Sequence, residues 1–250
     1  MLKKAFIAAV AVAFAAASLA LTSCEERKRP KPVAPPQGEE IVASATAAQA
    51  GEADAEPAQA QDIAAAPIET KADDIDWPVS NMHAKIVTSK GDMLVDLYPE
   101  QAPKTVANFV RYAREGHYDR LIIHRVVAGF VIQGGGYNKY WNERATHDPV
   151  PYEGDNGLGN YRTTLAMART LDPNSASAQW YINLRDNNDQ LDHFVNDLGP
   201  RYGYAVFGRV VDGMDVADAI GSLRTGAGGP FPAEVPVETV TISRIDIIED

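Results

Sequence analysis

The sequence IHRVVAGFVIQGGG, residues 123–136, places an arginine and a glutamine among apolar, β-branched residues that favour buried strands. Two β-branched segments, residues 122–127 and 130–132, are separated by an alanine-glycine pair. This pattern predicts two strands that meet at a turn or bend. We take this pair of strands as the centre of the fold, because polar residues in such a setting need a chemical reason to be there.

Arg125 is the charged residue of the first strand, and under a two-residue period it shares a strand face with Ile123 and Val127. Its guanidinium then projects from an apolar surface, close to the ring of Phe130 and the amide of Gln133. Such a combination indicates a shallow apolar site that holds a peptide and contacts its backbone. The alternative is a structural strand with one salt-bridged arginine, and this stretch alone does not distinguish the two.

Residues from Met82 to the end are globular in composition, contain no second linker and predict one domain. Two alternating segments around Gly91 predict a β-hairpin, and Pro103 begins a predicted amphipathic helix. A second helix is expected over residues 214–223 and a long surface loop over residues 137–162. Further strands are predicted at residues 164–168, 179–183, 204–211 and 237–248, the last of which pairs with the first strand of the domain. Many short strands with two helices predict an antiparallel β-barrel capped at both ends.

The formal net charge of -11 and the isoelectric point near 4.9 argue against a nucleic-acid partner, because such a protein needs a basic face that replaces counterions. The five histidines are scattered without ligand spacing, and the single cysteine allows neither an intrachain disulfide nor a thiolate zinc site. We therefore expect no metal and no cofactor. His124 lies on the opposite strand face from Arg125 and is expected to be a core histidine rather than a catalytic base.

Residues 1–23 have the pattern of a signal peptide, with two lysines, an apolar run rich in alanine, and Leu-Thr-Ser before Cys24. This ending resembles the lipobox of bacterial lipoproteins, in which the cysteine is lipidated and becomes the first residue of the mature chain. The alternatives are an uncleaved membrane anchor and a plain secretory signal with a free thiol nearby. Lipidation of Cys24 would anchor the protein stably, because two acyl chains suffice.

Residues 24–80 are rich in Ala, Pro, Glu and Gln and have almost no aromatic residues, so they are expected to be a disordered tether that begins at the lipidated Cys24. A flexible chain of this length has a root-mean-square span of about 40 Å, which lets the domain of residues 81–250 work well away from the membrane. Glu25 is not the aspartate that lipoprotein sorting rules associate with inner-membrane retention. The expected location is therefore the bacterial cell envelope, with the protein facing the periplasm and the outer membrane preferred.

Several motifs of the domain resemble those of cyclophilin-type peptidyl-prolyl cis-trans isomerases, particularly the bacterial periplasmic ones. The resemblance covers essentially all of residues 82–250, and the motifs occur in the order and approximate spacing of the family. They are His124-Arg125-Val126, Gly129-Phe130, Gln133-Gly134-Gly135, Met167-Ala168, Gln179, Leu191-Asp192 and Val206-Phe207-Gly208-Arg209-Val210. The resemblance implies a mainly β fold, a closed eight-stranded antiparallel β-barrel capped by two α-helices, which agrees with the pattern of strands and helices above.

The resemblance also implies roles for individual residues. Arg125 looks like the catalytic arginine of the family, and Gln133 like the amide that contacts the substrate backbone. Ala168 and Arg169 fall where the family contacts the residues before the proline, and Gln179 falls where a glutamine orients the arginine. The proline pocket would be lined by Phe130, Val131, Tyr181, Leu191 and Tyr204.

Some positions depart from the usual family pattern. Four of them replace one apolar or aromatic residue by another and so keep the pocket apolar, namely Ile123, Ala128, Val131 and Tyr181. More consequential are Gln190, where eukaryotic members have the tryptophan that holds cyclosporin, and Tyr204, where they have a histidine. The resemblance therefore implies weak inhibition by cyclosporin.

The expected activity is non-covalent acceleration of X–Pro bond rotation in envelope proteins during folding, with Arg125 stabilising the twisted amide. The expected partners are proline-containing unfolded or partly folded polypeptides and, through Cys24, the membrane, and the protein is expected to be a monomer. The main alternative is a proline-segment binding module or holdase chaperone without significant catalysis. A tethered scaffold in which the barrel is only a spacer is disfavoured by the arginine, glutamine and aromatic chemistry.

Overall fold

The computed structural model describes residues 75–249, so the predicted signal peptide, Cys24 and the tether up to residue 74 lie outside the described residues. The helices are α1 (Pro103–Arg114), α2 (Asn188–Leu191) and α3 (Met214–Gly221). The strands are β1 (Met82–Thr88), β2 (Gly91–Leu97), β3 (Leu121–Val127), β4 (Val131–Asn138), β5 (Thr164–Met167), β6 (Trp180–Asn183), β7 (Phe194–Asn196), β8 (Gly199–Arg201), β9 (Val206–Asp212), β10 (Thr225–Gly228), β11 (Phe231–Pro236) and β12 (Val240–Glu249).

Eight of these strands form a closed antiparallel barrel in the order β1-β12-β3-β4-β6-β5-β9-β2. The barrel closes because the last strand, β12, pairs with β1 along almost its whole length, as its alternating sequence predicts. The closed eight-stranded barrel expected from the sequence is therefore confirmed. The remaining strands form two small hairpins outside the barrel, β7 with β8 and β10 with β11.

The two predicted helices are confirmed as α1 and α3. Helix α1 begins at Pro103, where the missing N–H of proline costs no helical hydrogen bond, and its buried face includes Val106 and Phe109. Helix α3 adds Ala217 and Ile220 to the same interior cluster. The single turn α2 is a third helix that the sequence pattern did not predict. None of the helices in residues 75–249 is long and apolar enough to cross a membrane.

The strands of the barrel bury alternate residues on its inner and outer faces. In β4, β5 and β6 the inner residues include Ile132, Leu165 and Trp180, which belong to one large interior cluster. The residues that alternate with these along the same strands, such as Val131 and Tyr181, belong to a second apolar cluster on the outer face. Because side chains alternate along a strand, the barrel wall separates a structural core from an apolar surface site.

A β-bulge interrupts the two-residue period of β3. Ile123 is paired with Gly134 but Arg125 with Gln133, so one residue of β3 has no partner between these two pairs. Ile123 consequently packs in the interior cluster, whereas Val127 packs against the outer cluster. The expectation that Ile123 shares a strand face with Arg125 and Val127 is therefore wrong, because the bulge turns Arg125 to the outer face.

The segment before β1 packs on the barrel. The ring of Trp77 is stacked on Tyr98 with 6.4 Å between the ring centroids, and the Arg209 guanidinium lies 5.2 Å from the Trp77 ring. Ser80 donates a hydrogen bond from Oγ to the Leu97 carbonyl. Trp77 and Ser80 thus attach this segment to the barrel.

Candidate active site

The outer apolar cluster brings together side chains that are far apart in the sequence. It contains the five predicted pocket residues together with Ala168, which was predicted to contact the residues before the proline. These residues come from the end of the β3–β4 turn, from β4, β6 and α2, and from the segments that follow β5 and precede β9. They are Phe130, Val131, Ala168, Tyr181, Leu191 and Tyr204, joined by Ala166 and Val206. The rings of Tyr181 and Tyr204 meet edge to face, with centroids 5.7 Å apart. These residues form one apolar cluster on the outer face of the barrel wall.

Arg125 lies in β3 beside this cluster. It shares a strand face with Val127, the next residue but one, and Val127 packs against the cluster. The Arg125 side chain is 13% exposed, and its Nε donates a hydrogen bond to Oε2 of Glu234 at 2.7 Å. Its Nη1 is buried and has no hydrogen-bond partner among the described residues. Arg125 is thus salt-bridged through Nε, while its buried Nη1 makes no hydrogen bond to another described residue.

Gln133 is the direct partner of Arg125 across the β3–β4 ladder. It is fully buried, and its Nε2 donates a hydrogen bond to Oε1 of Gln179 at 3.1 Å. Gln179 follows Ala178 at the entry to β6, where its backbone carbonyl accepts a hydrogen bond from the Ala168 N–H. The resemblance implied that Gln179 orients the arginine, but in this structure Gln179 binds Gln133 and the ion pair of Arg125 is formed with Glu234.

Asn160 is a buried residue of the β4–β5 loop that the sequence analysis missed. Its Oδ1 accepts a hydrogen bond from the Tyr181 hydroxyl at 2.7 Å, and its Nδ2 donates to the backbone carbonyls of Leu191 and Tyr204, each at 3.3 Å. Three residues of the apolar cluster are thus connected through one amide. The local sequence does not predict this role, because an asparagine in a polar, glycine-rich loop is ordinarily solvated.

Asp192 supports the same amide. Its Oδ1 accepts hydrogen bonds from the backbone N–H and from Nδ2 of Asn160, at 2.7 and 2.8 Å. Burial raises the pKa of the Asp192 carboxyl, although the two hydrogen bonds from Asn160 act in the opposite direction. The carboxylate therefore fixes the Asn160 side chain in the orientation that contacts the pocket residues.

Arg169 lies at the edge of the cluster and holds the segment before Tyr204. Its Nε donates to the Gly203 carbonyl at 2.9 Å, and its guanidinium also contacts the Tyr202 carbonyl. The same group lies over the Tyr204 ring, 4.8 Å from the centroid. Arg169 is thus placed beside the site as predicted, and the structure gives it the additional role of holding Tyr204.

His124 is buried in the wall of the barrel next to Arg125. Burial, and secondarily the positive charge of Arg125, lowers the pKa of its imidazole to about 3. Its ring packs against Tyr137 and Phe231, with centroids 5.1 and 5.7 Å away. The prediction that His124 is buried is confirmed, because only 1% of the residue is exposed. That it is not a catalytic base stays a prediction.

Two other features do not belong to this site. A cavity of about 610 Å³ lies against α1 and is lined by Met82, Val106, Val110 and Glu249, with none of the predicted site residues among its walls. Within residues 75–249, no three His, Cys, Asp or Glu side chains are grouped as ligands of a metal ion would be.

Comparison with known proteins gives the family. Residues 83–247 match the model of the family described as cyclophilin type peptidyl-prolyl cis-trans isomerase. The chain belongs to the cyclophilin-type peptidyl-prolyl cis-trans isomerases. It is similar to peptidyl-prolyl cis-trans isomerase B of Escherichia coli K12, with 46% identity over 165 residues that cover 65% of this chain and 97% of the relative. The isomerase cyp18 of Streptomyces antibioticus is also 46% identical, over 64% of this chain and 95% of its own length.

Solved cyclophilin structures share the fold. A cyclophilin-type isomerase of Cryptosporidium parvum superposes with a TM-score of 0.53 at 23% identity, over 68% of this chain and 98% of its own. The cyclophilin AquaCyp293 of Hirschia baltica gives a TM-score of 0.51 at 20% identity, over 66% and 73% of the two chains. These structures confirm the predicted fold, while the family match and the curated relatives confirm the predicted family and its activity, isomerisation of peptidyl-prolyl bonds.

Proposed function

We propose that Arg125 accelerates this isomerisation by donating a hydrogen bond from its guanidinium to the proline nitrogen of the twisted X–Pro amide. The observation that carries the proposal is the buried Nη1 of Arg125, a donor without a partner among the described residues, beside the outer apolar cluster. A buried donor without a partner is costly, and such groups concentrate at functional sites.

The chemistry follows from the nature of the barrier. An X–Pro bond rotates slowly because amide resonance imposes a barrier of about 18–20 kcal/mol. When the bond is twisted, resonance is lost and the proline nitrogen gains a lone pair. An N–H of the guanidinium can then donate to that lone pair, whereas the planar ground state offers no such acceptor. The interaction therefore stabilises the transition state preferentially.

The arginine supplies only part of the rate enhancement. A hydrogen bond with a charged partner contributes about 1.5–3 kcal/mol, which corresponds to one to two decades of rate. We attribute the remainder to orientation in the apolar site. Phe130 and Leu191 would hold the proline ring while Gln133 fixes the backbone on the other side, so that only the amide between them rotates.

Separate measurements of binding and of catalysis distinguish this proposal from the alternative of a binding module without catalysis. In Arg125→Ala, a proline peptide should bind with a Kd within a few-fold of the wild-type value, because the apolar cluster is unchanged, while its cis-trans exchange becomes much slower. Both quantities are measured on one sample by NMR titration and exchange spectroscopy. Unchanged exchange in Arg125→Ala would support the binding module and remove Arg125 from the mechanism.

We further propose that the protein is a monomeric lipoprotein of the bacterial cell envelope, anchored through Cys24 and facing the periplasm. The support is the Leu-Thr-Ser-Cys sequence at the end of an apolar signal, followed by a long polar tether. Its substrates would be proline-containing envelope proteins during folding. Fractionation of cells that express the full chain, with labelled acyl chains, tests the anchor. The label should follow the outer-membrane fraction and be lost in Cys24→Ser, and a soluble, unlabelled product would refute it.

A further inference from the structure

The hairpin of β10 and β11 is an element outside the barrel that reaches the candidate active site. Strand β11 lies against β3, the strand of Arg125. Phe231, the first residue of β11, packs against Tyr137 and Trp141 with ring centroids 5.3 and 6.0 Å away, in addition to its contact with His124. These aromatic contacts fix the hairpin on the barrel wall.

Trp141 also fixes the tip of the hairpin. A Cβ atom placed on Gly229 would lie 2.1 Å from Cδ2 of Trp141, so the indole packs directly on the glycine backbone. Gly229 has a φ of 53°, and Trp141 itself has a φ of 66°. The position of the N-terminal end of β11 is thereby fixed, because its first residue and the preceding turn are both held by the aromatic cluster.

Glu234 occupies the middle of β11 in an unusual backbone conformation. Its φ is 66°, in the left-handed region that is unfavourable for a residue with a side chain. Strain of this kind persists where the surrounding structure imposes it, and it occurs often at functional sites. In this conformation the Glu234 carboxylate meets the Arg125 guanidinium, with Oε2 2.7 Å from Nε.

We propose that Glu234 is a positioning residue for Arg125, holding the guanidinium in the orientation in which it meets the substrate amide. The inference rests on the proposed role of Arg125 and deepens it. An arginine side chain has many rotamers, and a guanidinium that is free to rotate would offer its N–H to the proline nitrogen only part of the time. The ion pair uses Nε, which fixes the plane of the group while leaving Nη1 unpartnered.

The geometry also explains why a carboxylate from a separate hairpin serves this purpose. Gln133 and Gln179 are bound to each other, and the direct ladder partner of Arg125 is therefore already engaged. A charge-assisted hydrogen bond is stronger than a neutral one, so a glutamate holds a partly exposed arginine more firmly than an amide would. The Glu234 side chain is 37% exposed, which leaves it accessible to substitution without opening the core.

The test compares kcat and KM for an X–Pro peptide in variants of the full folded domain. Glu234→Ala should lower kcat about tenfold with KM within twofold of wild type, and Glu234→Gln should lose less because its amide oxygen still accepts from Nε. Glu234→Gly removes the same carboxylate but relieves the positive φ. Glu234→Gly should therefore have the same kcat as Glu234→Ala, and its unfolding temperature should be equal to or higher than that of Glu234→Ala. Glu238→Ala, which breaks the ion pair of an exposed glutamate with Lys90, is the matched control and should leave kcat unchanged.

A double-mutant cycle decides whether Glu234 acts through Arg125. In the Arg125→Ala background, Glu234→Ala should have no further effect on kcat, because the group that it positions is absent. A full tenfold effect in that background would overturn the proposal, as would a wild-type kcat in Glu234→Ala. If Arg125→Ala itself were as active as wild type, the role of Arg125 would fail, and this outcome is distinguishable from the other two.

Discussion

Arg125 and Gln133 face each other as direct partners across β3 and β4, and the turn between these strands ends at Phe130. One hairpin therefore supplies a cation, an amide and an aromatic ring to the same surface. A shift of one residue in its register would turn all three groups to the other face of the sheet. The bulge in β3 sets this register, since it lets Ile123 fill the barrel interior while Arg125 faces outwards.

Asn160→Ala should weaken both the fold and the pocket. The substitution leaves the Tyr181 hydroxyl and the carbonyls of Leu191 and Tyr204 without a shared partner, at a cost of about 2–3 kcal/mol in the free energy of unfolding. KM for an X–Pro peptide should rise several-fold because three pocket residues lose their common anchor. Tyr181→Phe, which removes one of these hydrogen bonds and keeps the ring, is the control. An unchanged KM in Asn160→Ala would show that the pocket holds its shape without this amide.

His124 should make the protein sensitive to mild acid. Its pKa is about 3 in the folded protein and near 6.5 when unfolded, so the unfolded state binds the proton first as the pH falls below about 6.5. Between pH 7.5 and pH 5 this one group should remove about 2 kcal/mol from the free energy of unfolding.

His124→Phe keeps an aromatic ring in the cluster and cannot be protonated. Urea unfolding measures the free energy of unfolding at pH 7.5 and at pH 5. Between these values the variant should lose about 2 kcal/mol less of this free energy than wild type. His117, whose pKa is also lowered by burial, contributes equally to both proteins. Equal losses in wild type and variant would mean that the His124 ring is protonated as readily in the fold as outside it.

Trp77 should stabilise the domain although it precedes the first strand. A protein that begins at Met82 lacks the stacking on Tyr98 and the cation contact with Arg209. Its free energy of unfolding should therefore be about 1–2 kcal/mol lower than that of a protein that begins at residue 75. Trp77→Ala in the longer protein should reproduce the loss. Coincident urea midpoints for all three proteins would show that the segment contributes nothing to stability.

Cyclosporin should inhibit this cyclophilin weakly. The family resemblance places Gln190 where eukaryotic members have a tryptophan that holds the drug, and Gln190 lies exposed in α2. Tyr204 replaces the histidine of those members, and its ring is covered on one side by Arg169. Titration of the drug against isomerase activity measures this directly. Nanomolar inhibition would contradict the prediction, and Gln190→Trp should strengthen inhibition if it is correct.

Features with a regular period could be predicted from the sequence, whereas features that depend on distant partners could not. The face of α1 with Val106 and Phe109 and the alternation of β12 identify a helix and a closing strand, because burial repeats at fixed spacing. The pocket residues were found through the resemblance, since nothing local connects Tyr181 with Leu191. The bulge in β3 breaks the period and so reversed the expected placement of Ile123.

The polar contacts were the least predictable part of the site. Asn160 reaches Tyr181, and Glu234 reaches Arg125 over a separation of 109 residues, because tertiary packing brings distant segments together. A glutamate in the sequence FPAEVP has no feature that identifies an arginine as its partner. Hydrogen-bond partners of this kind are determined by tertiary structure, and the salt-bridged and the catalytic interpretations of Arg125 turned out to be compatible.

The rate of X–Pro isomerisation in Arg125→Ala tests the central claim most directly. The change should lower kcat/KM by about 10- to 100-fold, as expected for the loss of a charge-assisted hydrogen bond to the twisted amide. Arg125→Lys should recover little of the loss, because an ammonium group cannot both bind Glu234 and present a fixed donor. Arg111→Ala, in an exposed part of α1, is the control. A kcat/KM for Arg125→Ala within twofold of wild type would contradict the account.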